Sequence, residues 1–397
     1  MGSSRTPDPF GKKLAVGASL VAGLARTLLD ARRRRELAQR LLEFHQYERF
    51  LAVLSSPPRG PATKAPDLVP FPLLVTTNRG LYLLERSAWR CLLPVVCFGV
   101  ARHEDRLFLG ASAGMHSFIL AAKIVGAETI DGLRDVQILA RYETRYHNER
   151  VHQIAFDPEH NVVHCANCRR NSLLAVDAAG AGIRDEKHLF ADCAGGTVTA
   201  DLNHINSVAM DGRTLLFAAH STGEGGALGF VADDWVRAYA YPACGIHDVV
   251  IHDGGIMFTD SFRDDAAAER PQAHGAIRYR GEEYLSQALE GVRGPKLVLR
   301  GLAMMAGTLA VGVSAYAPRE ERFTESGGGV AVFRDGILLG LVEGPFAQTY
   351  DILPGDGRRS DVAGPARSVI ELDTLFRRDV GPLFYEGPVL RSKRPLH

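Results

Sequence analysis

The chain has 397 residues, of which 46% are hydrophobic and 23% are charged, a composition typical of a globular protein with a large core. Lys and Arg together number 46, as do Asp and Glu, so the formal net charge is zero. This balance argues against nucleic-acid binding, because contacts with a phosphate backbone need a surplus of basic residues. No apolar run is long enough to span a membrane.

Residues 13–55 are predicted to form a helical N-terminal extension, since leucines recur mostly at helical spacing. A basic run, Arg32–Arg35, lies within this segment. Such a run is typical of a solvated helix face, and the alternative is peripheral contact with an anionic membrane surface or an acidic protein partner. A Pro- and Gly-rich stretch then ends the helix, so we place a domain boundary at residue 60.

The N-terminus and the cysteines bear on the compartment. Leu14–Ala25 is a weakly apolar run that resembles the core of a signal peptide, but the helical pattern continues through it, and we expect a cytoplasmic protein. Six cysteines are too few for a disulfide scaffold in a chain of this length. Cys165 and Cys168 form a lone CxxC motif, whereas a structural zinc site normally needs a second pair. We therefore expect buried or strand-edge thiols.

From about residue 70 the pattern changes to short β-like runs separated by turns rich in Gly and Asp. Six segments share one form, in which a polar or aromatic lead residue is followed by a small or polar residue and then by an apolar strand. The lead residues, spaced by about 50 residues, are Phe98, His152, Asn206, His247, Arg300 and Tyr350. This period is typical of one four-stranded propeller blade per repeat.

The two ends of the repeat array predict how the ring closes. The segment that begins at Tyr350 is followed by little regular sequence, whereas residues 71–96 hold about three strands before the first lead residue. Pairing of these N-terminal strands with the C-terminal strand would complete a sixth blade and remove the free sheet edges. We therefore predict an all-β, six-bladed β-propeller over residues 61–397, with a helical extension over residues 1–60.

The innermost strand of each propeller blade lines the axial channel, so the six lead residues should form a ring at one mouth. Most of them are polar, although a purely structural repeat would place small or apolar side chains there. His204 lies two residues before Asn206 and should share its strand face. The ends of the second strands and one polar loop add further candidates for ligand binding, namely Asn167, His220, Asp260, Arg263 and Ser314.

The polar ring has three interpretations, two of them catalytic. In the first, His152 and His247 bind one divalent metal, Zn, Mn or Fe, together with His220, or with His204 or Asp260 in its place. Water on that metal would hydrolyse an ester or lactone, or the metal would polarise a carbonyl for β-elimination. In the second there is no metal, and a neutral His152 or His247 is the general base. Tyr350 or His204 would then be the acid, while Arg300 stabilises negative charge.

In the third interpretation the ring is structural, because channel residues hydrogen-bond to one another and to trapped water. The propeller would then be a non-catalytic module that binds a ligand or another protein. The leading hypothesis is an enzyme that hydrolyses, eliminates or isomerises a small anionic metabolite at the axial mouth. Its predicted catalytic residues are His152, His204, His247, Arg300 and Tyr350.

Several segments carry a family resemblance. An H-x-N-x-x-A stretch at His204–Ala209, an R-G-L-A stretch at Arg300–Ala303 and the strand Tyr350–Pro354 resemble segments of a bacterial β-propeller family of unknown function. The resemblance covers about residues 140–355 and implies a propeller fold. More distantly, the chain is similar to gluconolactonase-like and strictosidine-synthase-like six-bladed propellers. The lactonase-like members bind a divalent cation through Glu, Asn and Asp oxygens. Only Asn206 matches those ligand types, which favours a softer metal or none.

Overall fold

The computed structural model describes residues 68–113, 116–126, 129–143, 151–191, 203–220, 225–242, 245–261, 275–284, 297–315, 327–359 and 366–391. Within these residues the strands form six antiparallel sheets, so the predicted all-β, six-bladed propeller is confirmed. The predicted helical extension lies outside the described residues. No helix in the described part of the chain is both long and apolar enough to cross a membrane.

The strands are introduced blade by blade in chain order. Blade 1 contains β1 (Leu73–Thr77), β2 (Gly80–Glu85) and β3 (Ala88–Leu93). Blade 2 contains β4 (Cys97–His103), β5 (Arg106–Ala113), β6 (His116–Val125) and β7 (Gly132–Glu143). Blade 3 contains β8 (Val151–Asp157), β9 (Val162–Asn167), β10 (Ser172–Asp177) and β11 (Ile183–His188).

The second half of the ring repeats this arrangement. Blade 4 contains β12 (Ile205–Asp211), β13 (Thr214–Ala219), β14 (Gly226–Ala232) and β15 (Trp235–Tyr241). Blade 5 contains β16 (Ile246–His252), β17 (Gly255–Asp260), β18 (Ala276–Tyr279) and β19 (Glu282–Tyr284). Blade 6 contains β20 (Leu297–Met305), β21 (Thr308–Ala315), β22 (Gly329–Arg334) and β23 (Ile337–Glu343).

The ring closes as the sequence predicts. The strand β24 (Thr349–Pro354) pairs with β1 in antiparallel register and becomes the innermost strand of blade 1, with Leu353 opposite Leu74. Each innermost strand contacts the innermost strand of the next blade, and β24 contacts both β20 and β4. Closure therefore gives blade 1 its innermost strand and places every innermost strand between two neighbours around the axis.

The core is divided among the interfaces between neighbouring blades. Six apolar clusters of described residues each combine side chains from two adjacent blades. Leu81 and Leu109, for example, meet between blades 1 and 2, and Met257 and Leu309 meet between blades 5 and 6. Because both faces of a blade are covered, many central strands read as continuous apolar runs. The blades thus form a rigid frame for the polar residues on the axis.

The chain after β24 is more regular than its sequence indicates. It forms a helix, α1 (Val369–Asp379), followed by β25 (Leu383–Pro388) and β26 (Leu390–Arg391). Ser368 and Glu371 make reciprocal hydrogen bonds at the start of α1, the capping box that an S-x-x-E sequence predicts. The strand β25 adds a fifth strand to blade 4, and β26 adds one to blade 3. Leu372 and Phe376 pack α1 against blades 4 and 5.

Candidate functional site

Four histidines form an arc at the end of the axis where the inner strands begin. His152 lies near the start of β8, His204 precedes β12, His220 follows β13 and His247 lies near the start of β16. Neighbouring ring centroids are 5.5 Å apart for His152 and His204, 5.3 Å for His204 and His220, and 5.5 Å for His220 and His247. We call these four residues the histidine arc. Blades 3, 4 and 5 therefore bring four predicted site residues together.

Aromatic and cationic side chains continue the ring beyond the histidine arc. The ring of Phe98 lies 5.5 Å from that of His152 and 4.6 Å from that of Tyr350, measured between centroids. The guanidinium carbon of Arg300 lies 5.8 Å from the ring centroid of Tyr350. The positive charge of Arg300 also lowers the pKa of His247. Five of the six lead residues therefore surround one mouth of the channel.

His204 reaches the histidine arc through its backbone conformation. It lies outside β12 with a φ of +50°, so the predicted strand alternation with Asn206 does not place it. Its carbonyl accepts a hydrogen bond from the backbone N–H of His220 at 3.2 Å. The carbonyl of His220 in turn accepts from the N–H of Gly245 at 3.0 Å. These bonds fix the backbone positions of three neighbouring segments at the mouth.

The hydrogen bonds of His247 define its tautomer. Its Nδ1 lies 2.8 Å from the carbonyl oxygen of Gly245 and 2.9 Å from the hydroxyl of Ser261. Because the Ser261 hydroxyl donates to the carbonyl of Leu299, we assign the proton to Nδ1, which donates to Gly245. The other ring nitrogen, Nε2, is buried and has no hydrogen-bond partner among the described residues. It therefore presents an unused lone pair.

The surroundings of His247 keep its ring neutral. The side chain is only 4% exposed. Burial is the largest cause that holds the pKa of His247 well below its usual range, followed by the charge of Arg300 and the neighbouring His220. A neutral imidazole with Nδ1 protonated can accept a proton or bind a metal through Nε2.

Other predicted ligand-binding residues bond within the scaffold. Asn206 Nδ2 donates to a carbonyl of β16 at 3.0 Å. The hydroxyl of Ser314 accepts from a backbone N–H of β24 at 2.9 Å. Asp260 Oδ2 accepts from the hydroxyl of Tyr241 at 3.3 Å. These three side chains connect blades or strands, while Arg263 lies outside the described residues.

Three potential metal ligands converge at one end of the histidine arc. Each offers one ligand atom within 4.8 Å of the others, and they are His152, Cys168 and His204. Cys168 begins a 3₁₀ turn, Cys168–Arg170, directly after β9. The metal set predicted from sequence combined His152 and His247 with His220, or with His204 or Asp260 in its place. The converging group contains His152 and His204 from these alternatives, omits His247, and adds a thiol that was expected in the core or at a strand edge.

A second polar layer lies one residue further along the inner strands. Gln153 Nε2 donates to Asp248 Oδ1 and to Asp351 Oδ1, both at 2.9 Å. The guanidinium of Arg359 donates to the two oxygens of Asp351 at 2.6 and 2.7 Å. We call these four residues the axial plug. They connect blades 1, 3 and 5 across the axis.

The polar atoms of the axial plug are well satisfied. Asp248 Oδ2 accepts from the N–H of Gly301 at 2.7 Å and from the hydroxyl of Thr259 at 3.1 Å. Gln153 Oε1 accepts from a backbone N–H of β12 at 3.2 Å. Burial and then the nearby carboxylate of Asp351 raise the pKa of Asp248 to about 6. In the plug, the carboxylate of Asp351 is therefore paired with Arg359, whereas the carboxyl group of Asp248 binds a proton at a higher pH than usual.

Local backbone irregularities direct both layers toward the axis. Each of the six inner strands carries a β-bulge at or beside its lead residue. In β8 the register shifts between Val151 and Ile154, which brackets His152 and Gln153. A bulge re-aims side chains that regular alternation would send to opposite faces. This explains how two consecutive residues both contact partners across the channel.

Glycine follows the lead residue in blades 2 and 6, where the backbones of neighbouring inner strands approach closely. A Cβ on Gly99 would lie 2.6 Å from the carbonyl oxygen of His152. A Cβ on Gly301, whose φ is +84°, would lie 2.7 Å from the backbone nitrogen of Ile352. No other residue type fits such an approach without displacing the backbone. The narrow channel at the axial plug therefore depends on these two positions.

A cavity of about 570 Å³ lies on the other side of the axial plug from the histidine arc. Small and apolar side chains of the inner strands provide most of its lining, together with Arg102, Asp211, Arg358 and Arg359. None of the site residues predicted from sequence lines this cavity. The connections around the histidine end include segments outside the described residues, namely 144–150, 192–202, 262–274, 285–296 and 316–326.

Sequence reasoning missed the axial plug and the position of Cys168. Gln153, Asp248 and Asp351 share one repeat position, directly after the lead residue, so their polarity was a readable signal. Arg359 follows the last repeat, where the sequence shows no pattern that points to the axis. Cys168 reaches the mouth through a 3₁₀ turn that the CxxC motif does not specify.

No protein-family model matches the chain, and no curated protein sequence matches it. Among solved structures, the nidogen/laminin complex aligns with a TM-score of 0.45 at 10% identity, over 71% of this chain and 97% of the other. A luciferin-regenerating enzyme aligns with a TM-score of 0.44 at 13% identity, over 72% and 85%. A 6-phosphogluconolactonase candidate from Bacteroides fragilis aligns with a TM-score of 0.39 at 13% identity, over 75% and 100%. Similarity at this level carries no information about the chemistry of this chain.

Proposed function

We propose that the protein is an enzyme that binds a small anionic substrate at the histidine end of its axis and removes a proton there. Hydrolysis, β-elimination and isomerisation share this need for a positioned base. The observation that carries the proposal is Nε2 of His247, which is buried and has no hydrogen-bond partner among the described residues. Buried polar atoms in proteins are nearly always paired, so a buried acceptor without a protein partner at a channel mouth supports a ligand-binding role there.

The neighbours of His247 supply the remaining parts of such a site. Gly245 holds Nδ1–H, so the ring cannot rotate without losing that hydrogen bond. Arg300 provides a permanent positive charge beside a neutral base, which suits a substrate carboxylate or phosphate and the negative charge that develops on it. The hydroxyl of Tyr350, next to Arg300, is a candidate acid that returns the proton.

The experiment distinguishes a loss of proton transfer from a loss of substrate binding. It also shows at which end of the channel the substrate binds. The wild type is screened for binding by calorimetry and for product by mass spectrometry, with a panel of lactones, carboxylic esters, β-substituted acids and sugar phosphates. His247→Asn keeps a donor for the carbonyl of Gly245 but has no Nε2. It should bind a converted substrate nearly as well as the wild type and turn it over about 10²–10⁴-fold more slowly.

Two arginine variants locate the anion. Arg300→Gln should weaken substrate binding by roughly 10- to 100-fold, the value of a charge-assisted hydrogen bond. Arg102→Gln, in the cavity beyond the axial plug, is the matched control and should bind like the wild type. Unchanged turnover in His247→Asn, or loss of binding only in Arg102→Gln, would contradict the proposal. A ligand that binds at Arg300 and is never converted would favour the alternative, a non-catalytic binding propeller.

A further inference from the structure

The group of His152, Cys168 and His204 brings together three side chains from three separate stretches of the chain. They come from the inner strand of blade 3, the turn after its second strand and the residue before the inner strand of blade 4. Their ligand atoms lie within 4.8 Å of one another. Ligand atoms on a single tetrahedral zinc lie roughly 3.3–3.8 Å apart, so rotamer adjustments of about 1 Å would complete the geometry.

A buried asparagine fixes the backbone on both sides of this group. The side-chain oxygen of Asn171 accepts hydrogen bonds from the backbone N–H groups of Asn203 at 3.0 Å and His204 at 2.9 Å. The N–H of Asn171 lies 3.5 Å from the carbonyl oxygen of Cys168. Asn171 is fully buried and has a φ of +48°, which closes the 3₁₀ turn. The turn that carries Cys168 and the segment that carries His204 are thereby held together.

A second observation beside this group is a buried polar side chain without a hydrogen-bond partner among the described residues. Asn167 directly precedes Cys168 and is fully buried. Neither its Oδ1 nor its Nδ2 has a hydrogen-bond partner among the described residues. Leaving a buried carboxamide unsatisfied costs about 1–3 kcal/mol per polar group, and native structures rarely accept that cost. A bound ion with coordinated water would provide polar partners beside it.

The other cysteine of the CxxC motif takes no part in this group. Cys165 packs in the apolar cluster between blades 2 and 3, and burial strongly raises the pKa of its thiol. Its sulfur does not belong to the group of converging ligand atoms formed by His152, Cys168 and His204. Cys165 is therefore a matched control for Cys168, three residues away in the same motif.

We propose that His152, Cys168 and His204 bind one thiophilic divalent ion, of which Zn²⁺ is the best match. One thiolate and two imidazoles suit Zn²⁺ or Co²⁺ and disfavour Mg²⁺ and Ca²⁺, which prefer oxygen ligands. Three protein ligands leave one tetrahedral position open, as in catalytic zinc sites. Such an ion would lower the pKa of a water at the same mouth. That role rests on the proposed function, whereas binding of the ion does not.

The test uses the full-length protein stripped of metal and titrated with Co²⁺. The wild type should bind about one Co²⁺ and show both a thiolate-to-cobalt charge-transfer band and the visible bands of tetrahedral cobalt. Cys165→Ala should give the same spectrum. Cys168→Ala should lose the charge-transfer band, and His204→Asn, which keeps a residue tolerant of positive φ, should bind Co²⁺ and Zn²⁺ at least about 10- to 100-fold more weakly.

X-ray absorption spectroscopy of the zinc-loaded wild type identifies the ligand atoms directly. The result does not depend on whether the variants fold. We expect one sulfur and two imidazole nitrogens around the ion. A shell of oxygen and nitrogen only, a charge-transfer band that survives in Cys168→Ala, or a band lost in Cys165→Ala would each overturn the proposed site. So would a wild type that binds neither ion. If metal binding fails while His247→Asn still abolishes turnover, the metal site is wrong and the proposed function stands.

Discussion

The histidine arc and the axial plug are adjacent layers of one channel, and His152 and His247 directly precede Gln153 and Asp248 on their strands. The polar atoms of the two layers differ in their hydrogen bonding. In the plug, both carboxylate oxygens of Asp351 accept hydrogen bonds from the guanidinium group of Arg359. Asp248 accepts hydrogen bonds from the side chains of Gln153 and Thr259 and from the backbone N–H of Gly301. In the arc, Nε2 of His247 has no hydrogen-bond partner among the described residues. Both layers are polar, but the described unpaired atom of His247 lies in the arc.

This difference assigns opposite roles to two rings that look alike in sequence. A fully paired buried network gains nothing from a ligand, and it connects three blades across the axis, so its role is structural. A layer with an unpaired buried acceptor, such as Nε2 of His247, gains stability when a ligand pairs with it. The degree of hydrogen-bond satisfaction, and not polarity, therefore distinguishes the axial plug from the proposed site.

The largest effect should come from breaking the axial plug. Arg359→Met keeps most of the side-chain volume but leaves the carboxylate of Asp351 buried without its cation. We expect a loss of about 3–5 kcal/mol in the free energy of unfolding, measured in urea. The exposed neighbour Arg358 is the control, and Arg358→Met should change stability by no more than about 0.5 kcal/mol. Equal effects of the two variants would show that the plug is not a stabilising network.

A smaller effect should appear in the pH dependence of stability. The folded-state pKa of Asp248 is raised to about 6, so the folded protein holds a proton that the unfolded chain releases near pH 4. The contribution of this group is fully present below pH 4 and is lost as the pH rises through 6. Relative to wild type, Asp248→Asn should therefore gain roughly 1–3 kcal/mol between pH 4 and pH 7.

Asparagine also tolerates the φ of +57° at position 248, so backbone strain should not mask this effect. Below pH 4 the carboxyl group is protonated in both states, and any difference between the two proteins there reports only the changed hydrogen bonds. Parallel stability curves for the variant and the wild type across this range would show that Asp248 is not the titrating group.

The sequence was sufficient to predict the propeller, because each repeat of a lead residue and an apolar strand corresponds to the inner strand of one blade. It also indicated that His152 and His247 lie at one mouth, since both are lead residues of inner strands. His204 and His220 lie outside the lead positions, and strand alternation does not explain the placement of His204. The sequence could not place the axial plug, because regular alternation would point Gln153 and Asp248 away from the axis. Only the bulges in the inner strands reverse that direction.

Other features depend on contacts that the repeat does not encode. Arg359 reaches Asp351 through the turn after β24, and Cys168 approaches His204 only when blades 3 and 4 pack together. The hydrogen bonds that position them come from loops and turns with no repeat of their own. The helix α1 is a different case, since its S-x-x-E capping box was present in the sequence and would have predicted its start.

The smallest effect on the metal-free protein should come from the histidine arc. His152 is half-buried, and its ring contacts are to Phe98 and His204. We expect His152→Asn to change the free energy of unfolding by less than about 1 kcal/mol without metal. Zn²⁺ at roughly one hundred times its dissociation constant should stabilise the wild type by about 2.7 kcal/mol and the variant by much less. A metal-free loss as large as that of Arg359→Met would instead make the arc a structural network like the plug, and the contrast between the two layers would fail.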